Sequence, residues 1–181
     1  MGSLVGSRVE RKEDKRFLTG KGRYTSDINI INQTYAVFVR SPHARAKIKK
    51  VDFSKASKAP GVVSILTGAD IVKDKIGGLI AGWKIVSEDG TDMKVPAHPP
   101  LASDTVNYVG DHVAVVIAES LDEAKAAANL VDVEYKVLRA VTSTTDAMKS
   151  EKIYNDIDKN LCFDWLLGDR AKVKEAFEKA D

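Results

Sequence analysis

The chain has 181 residues, enough for one domain with a real core or for two small ones, and 44% of them are hydrophobic, which excludes disorder over the whole length. A formal charge of only +2 is too small a surplus for a protein whose main partner is a polyanion. Cys162 is the only cysteine, which excludes an internal disulfide, and no apolar run approaches the roughly 20 residues that cross a bilayer.

The N-terminus, MGSLVGSRVERKED, lacks the apolar core of a signal peptide, so the cytoplasm is the expected compartment. Residues 11–24, RKEDKRFLTGKGRY, then set six basic side chains against Glu13 and Asp14, which leaves the remaining chain net acidic. The pair Gly20 and Gly22 invites a phosphate-loop reading. That reading fails the motif's own test: no strand precedes, no third glycine opens a helix, and neither Ser nor Thr follows Lys21. The basic residues alternate with acids and hydrophobes and line no single helical face, so nucleic-acid binding is not expected. The stretch reads as an extended arm containing a turn, with Phe17 and Tyr24 as anchors.

Tyr35, Val37 and Val39 alternate with Ala36, Phe38 and Arg40, which predicts a strand with two largely apolar faces. Pro42 turns the chain, and a second strand follows with Ala46 and Ile48 directed inward. FSKASKAPG predicts a helical turn capped by Ser54 and stopped by Pro60 and Gly61, and VVSILTG predicts another buried strand. From Asp70 to Ser103 the pattern is irregular, apart from a hairpin expected at Asp89-Gly90 between WKIV and MKV. HVAVVIA, SLDEAKAAANLV and DVEYKVL then form a strand–helix–strand unit. Ser120 and Glu123 have capping-box spacing, Ala124, Ala127, Ala128 and Val131 make one small apolar face, and Val133, Tyr135 and Val137 point inward on the last strand. A short helix over TTDAMKS, a loop carrying NLCFDWLLGD, and a helix capped by Asp169 with Val173, Ala176, Phe177 and Ala180 on one face complete the chain.

Candidate chemistry is sparse. His43, His98 and His112 are too scattered for metal-ligand spacing and read as turn or structural residues. Cys162, set among Leu161, Phe163 and Trp165, reads as a buried, unreactive thiol. No carboxylate pair sits on an apolar strand end, where burial would tune it for acid–base work, and Asp27 and Asp104 read as turn caps.

Taken in order, the strings EDKRFLTGKGRYTSDI, FVRSPHARAKI, APGVVSILTGADI, HPPLASDTVNYVGDHVAVVIAE, AKAAANLVDVEY and NLCFDWLLGD resemble the N-terminal part of one large subunit. It is the molybdenum-bearing subunit of the xanthine oxidase, aldehyde oxidase and aerobic carbon monoxide dehydrogenase family. The resemblance runs from about Val5 to Asp181 and implies an α+β class and an α/β-hammerhead fold, with a mixed sheet, helices packed on one side and an extended N-terminal arm. It implies the arm over residues 1–30, the hammerhead over 31–150, and a linker and helix over 151–181 leading toward a molybdopterin-binding domain.

Members of that family oxidise aldehydes, N-heterocycles such as purines, or carbon monoxide with a molybdopterin cofactor, and pass electrons to iron–sulfur clusters and FAD held elsewhere in the assembly. The cofactor loops and the catalytic glutamate belong to domains that would follow Asp181. The resemblance therefore assigns no catalytic, cofactor-binding or metal-binding residue to this chain and implies a fragment that is inactive alone. Its expected partners are the remainder of the large subunit and the iron–sulfur and FAD subunits or domains. Arg16, Arg23 and Tyr24 in the arm, and Val173 and Phe177 on the final helix, are the candidates for interdomain contact. The competing reading is a free-standing, non-catalytic binding or scaffold module that uses the same fold.

Overall fold

The structure, a computed structural model, describes residues 5–180. These divide into two compact units, one ending at Gln33 and one beginning at Thr34.

The first unit is less extended than expected. Asp14–Leu18 forms one helical turn, α1, with Arg11 paired to Asp14 at 2.9 Å near its positive end. Two hydrogen bonds close the turn: Lys21 N–H donates to the Arg16 carbonyl at 2.8 Å and Gly20 N–H donates to the Phe17 carbonyl at 3.1 Å. With Gly20 at φ +69°, this is a Schellman stop, which needs a left-handed residue just past the helix. The first glycine of GKG is therefore a helix terminator. Tyr24 and Asp27 then cap a short 3-10 turn at Thr25–Asp27, where Asp27 Oδ2 accepts the Tyr24 N–H at 2.9 Å.

The second unit carries six strands: β1 (Tyr35–Arg40), β2 (Ala46–Asp52), β3 (Val62–Thr67), β4 (Thr105–Val106), β5 (His112–Ala118) and β6 (Asp132–Val137). They form two three-stranded sheets, β1-β5-β3 and β4-β2-β6, and every pairing is antiparallel. The expected single mixed sheet is thus corrected to two antiparallel ones. The cause is the strand–helix–strand unit: β5, helix α3 (Leu121–Ala128) and β6 cross from one sheet to the other instead of pairing side by side.

β5 is the central strand of its sheet, and Val113 to Val116 are all buried, as a continuous apolar run requires. Val113 joins Ala46, Ala102 and Val106 in one apolar cluster, and Val115 joins Ile71 and Leu101 in another. Helix α3 packs on β1 and β5 with Ala124 and Ala127 fully buried, because small residues let a helix sit close to a sheet. Its cap differs slightly from the expected box. Ser120 Oγ accepts the Glu123 N–H at 3.3 Å, while the Ser120 hydroxyl donates to the Glu123 carboxylate at 2.7 Å.

In the second sheet a register shift between Ile48 and Lys50 lets both Ile48 and Val51 pack on the first cluster, together with Val133 and Tyr135. Val137, expected inside, is 62% exposed. Helix α2 (Gly68–Lys73) begins at a capping box of Thr67 and Asp70. It ends on a second Schellman stop, in which Ile76 N–H donates to the Ile71 carbonyl at 3.0 Å and Lys75 N–H donates to the Val72 carbonyl at 3.2 Å. The left-handed position is filled here by Lys75, at φ 54°. The turn at Ala56–Lys58 is preceded by Lys55, so Ser54 is not its cap; Ser54 N–H instead donates to Asp52 Oδ1. Helices α4 (Thr144–Ala147) and α5 (Arg170–Glu178) lie where expected, and Asp169 caps α5 by accepting the Ala171 and Lys172 N–H groups.

Candidate functional site

A cleft of ≈ 480 Å³ in the second unit lies between the 79–99 segment and the turn that leads into β5. Leu79, Ile80 and Val95 form part of its apolar wall, and Asn107, Tyr108, Asp111 and Tyr154 contribute its polar groups. The turn is built from its backbone. Ser41 N–H donates to the Asp111 carbonyl, Gly110 N–H donates to the Ser41 carbonyl, and Asp111 N–H closes on Tyr108. Gly110 takes φ +93°, a conformation open to glycine at no steric penalty.

Asp111 is buried at 6% exposure, and its Oδ2 accepts the Asn107 N–H at 3.0 Å. Asn107 Oδ1 is buried with no hydrogen-bond partner among the described residues. His98 and Tyr108 meet across the cleft rim at 3.2 Å, Nε2 to phenol oxygen. Burial pushes Tyr108, Tyr135 and Tyr154 above the ordinary phenol value, and the Asp111 charge adds to the effect on each. These phenols stay protonated at neutral pH, so they offer hydrogen bonds and no base. The cleft is equipped for binding through hydrogen-bond donors and acceptors.

The remaining histidines serve as packing groups. His112 stacks on Phe38 at 4.3 Å between ring centroids, and His43 meets Tyr135 edge-on at 5.0 Å. Among the described residues, no group of three or more His, Cys, Asp and Glu side chains comes together to hold a metal. Cys162 is only half-buried, and Leu161, Phe163 and Trp165 beside it are exposed, which corrects the buried-thiol expectation. Apolar neighbours in sequence do not bury a residue when the loop that carries them lies on the surface.

The five residues singled out for interdomain contact are placed as follows. In the first unit the Arg16 guanidinium lies 5.1 Å from the centroid of the Phe17 ring, and that ring stacks on Tyr24 at 5.8 Å and 10° between planes. Phe17 and Tyr24 thus anchor each other, and Arg23 is exposed beside them. In the second unit Val173 and Phe177 lie one turn apart on α5, and Phe177 is 78% exposed. Sequence reasoning missed the Asp111 turn, whose partner Ser41 is 70 residues away, and the role of Thr67, for which the Thr-x-x-Asp spacing of TGAD was the available signal.

Residues 19–139 match the family model for "Aldehyde oxidase and xanthine dehydrogenase, a/b hammerhead domain". The chain is 39% identical over 153 residues to the nicotine 6-hydroxylase large subunit of Paenarthrobacter nicotinovorans, covering 84% of this chain and 18% of that protein. It is 32% identical over 193 residues to the carbon monoxide dehydrogenase large chain of Afipia carboxidovorans, covering 98% and 22%. The chain therefore spans about a fifth of the length of these curated relatives.

Among solved structures, quinoline 2-oxidoreductase from Pseudomonas putida 86 superposes with a TM-score of 0.72 at 36% identity, covering 83% of this chain and 18% of that one. Reconstituted CO dehydrogenase from Oligotropha carboxidovorans superposes with a TM-score of 0.77 at 29% identity, covering 97% and 22%. No helix among the described residues is long and apolar enough to cross a membrane. With the family model matching well over half of its residues and the same fold recurring in these oxidoreductases, the chain belongs to the aldehyde oxidase and xanthine dehydrogenase α/β-hammerhead domain family.

Proposed function

We propose that this chain is the N-terminal domain of a molybdenum hydroxylase large subunit and acts as a structural and interdomain element of a cytoplasmic oxidoreductase. The observation that carries this reading is coverage: nearly all of the chain superposes on CO dehydrogenase while accounting for 22% of that chain. In such an enzyme the oxidation of an aldehyde, purine or carbon monoxide takes place at molybdopterin, with iron–sulfur clusters and FAD as the electron path. The residues present do not compose a seat for the molybdenum cofactor. No donor cluster forms among the described residues, and the two phenols that line the cleft, Tyr108 and Tyr154, are protonated, so no step of the oxidation is assigned to them.

The domain's contribution is to dock. Arg16, Arg23 and Tyr24 present charge and aromatic surface in the first unit, and Val173 and Phe177 present an uncovered apolar stripe in the second. The test is direct. The 181-residue chain, purified alone, is expected to contain no molybdenum and to oxidise neither aldehydes nor purines nor carbon monoxide. The coding sequence after codon 181 is expected to continue into glycine-rich cofactor loops. Stoichiometric molybdopterin on the isolated chain, or a native stop codon with no companion gene for those loops, overturns the proposal.

A further inference from the structure

We infer that the hairpin at residues 83–95 and the strap at 161–167 form one apolar docking platform, and that its occupant is the part of the same large subunit that follows this domain. The inference rests on the function proposed above and names a second surface for it.

The two segments are more than 60 residues apart in sequence, yet backbone hydrogen bonds join them. Within the hairpin, Met93 N–H donates to the Ile85 carbonyl and Ser87 N–H donates to the Thr91 carbonyl, both at 2.8 Å. Across to the strap, Lys94 N–H donates to the Cys162 carbonyl at 2.9 Å and Glu88 N–H donates to the Asp164 carbonyl at 2.8 Å. Asp164 N–H returns a bond to Ser87 Oγ at 3.3 Å. The backbone is thus committed to one arrangement, while its large side chains are left open. Trp83 and Trp165, the only tryptophans of the chain, are 80% and 57% exposed, and Leu167 is 82% exposed. Fixed backbone with uncovered tryptophan and leucine is the composition of an interface core, and a free surface seldom keeps it.

Charge narrows the occupant. Two ion pairs flank the platform, Lys84 with Asp92 at 3.4 Å and Arg170 with Glu88 at 2.8 Å, and its other exposed charges, Asp89, Lys94 and Asp164, are of both signs, so the surface suits a protein better than a polyanion. Position narrows it further. The family model ends at residue 139, whereas the superposition on CO dehydrogenase covers 97% of this chain, so the strap belongs to what is shared with whole subunits about five times as long. The strap also runs within three residues into α5, whose Val173 and Phe177 face is likewise uncovered. A surface continuous along the chain with that face is most simply covered by the same polypeptide.

The experiment uses the complete enzyme with a photo-reactive benzophenone amino acid in place of Trp83, Leu167 or, as a reference, Phe177. Cross-links from Trp83 and Leu167 are expected within one large subunit, to peptides beyond residue 181, with no shift to higher mass on a denaturing gel. Cross-links only to an iron–sulfur or flavin subunit, cross-links to a second copy, or none at all overturn the inference. If the Phe177 position reaches downstream peptides while Trp83 and Leu167 do not, the platform fails and the domain's docking role stands; if none of the three does, both fall. In the unsubstituted enzyme, hydroxyl-radical footprinting is expected to show loss of oxidation at Trp83 and Trp165. Oxidation of both at the rate of open surface tryptophan overturns the inference without relying on any variant.

Discussion

The β1-β5-β3 sheet and the hairpin-strap platform are both held by backbone hydrogen bonds, but they treat their side chains in opposite ways. In the sheet, Val113, Ala114, Val116 and Ala118 of β5 are wholly buried, so the ladder and the apolar burial reinforce each other. In the platform the ladder stands with little burial, because Trp83, Trp165 and Leu167 are each more than half exposed. A region of the first kind stabilises the domain. A region of the second kind contributes little to this chain and holds a shape for something else.

The comparison is tested most severely at Gly68, which opens α2 immediately after β3. A Cβ there would collide with the backbone of Ala102 and Ser103, and neither can swing aside as a side chain can. Gly68→Ala is expected to destabilise the chain by about 3 kcal/mol, measured as the free energy of urea unfolding.

A matched pair of truncations comes next. Val116→Ala, in the buried strand, should lower stability by about 2 kcal/mol, whereas Leu167→Ala, on the platform, should change it by about 0.5 kcal/mol or less. Equal losses in thermal melts of the two variants would show that the platform side chains are already buried.

The Thr67–Asp70 cap sharpens the sheet side of the contrast. Asp70 Oδ2 accepts both the Thr67 N–H and its hydroxyl at 2.8 Å, and these hydrogen bonds hold the Asp70 carboxyl below its ordinary value. A carboxyl lowered in the folded state adds stability that is complete above the ordinary aspartate range, near about pH 4, and fades as pH falls through the lowered value. Asp70→Ala should therefore cost about 1 kcal/mol at pH 7, and the gap from the parent chain should close on acidification. A gap that stays constant down to pH 2 would contradict the assignment.

One further small effect is a gain. Lys75 occupies the left-handed position that Gly20 fills in the other helix stop, so Lys75→Gly is expected to raise stability by about 0.5–1 kcal/mol in a calorimetric scan.

What could be read from the sequence was local. The buried strand β5, the capped helix α3, the hairpin at Asp89-Gly90 and the Asp169 cap each announce themselves within a dozen residues through apolar runs, alternation or a capping side chain. What could not be read was pairing at long range. Nothing near Cys162 or Asp164 signals that their carbonyls meet Lys94 and Glu88, and nothing near β5 and β6 says that they join different sheets. The irregular phase of β2 hid Val51 for a related reason, since a bulge moves a residue to the other face and only the partner strand reveals it. Family resemblance supplied the architecture, while the polar turn around Asp111 required coordinates.

The partition of the strands also governs when the domain can be born. β1, β2 and β3 pair with nothing among themselves; every ladder partner they have lies in β4, β5 or β6. A nascent polypeptide that has emerged only as far as residue 100 therefore has no native sheet available to it, and its apolar strands must wait on the ribosome, shielded or at risk, until the second half arrives.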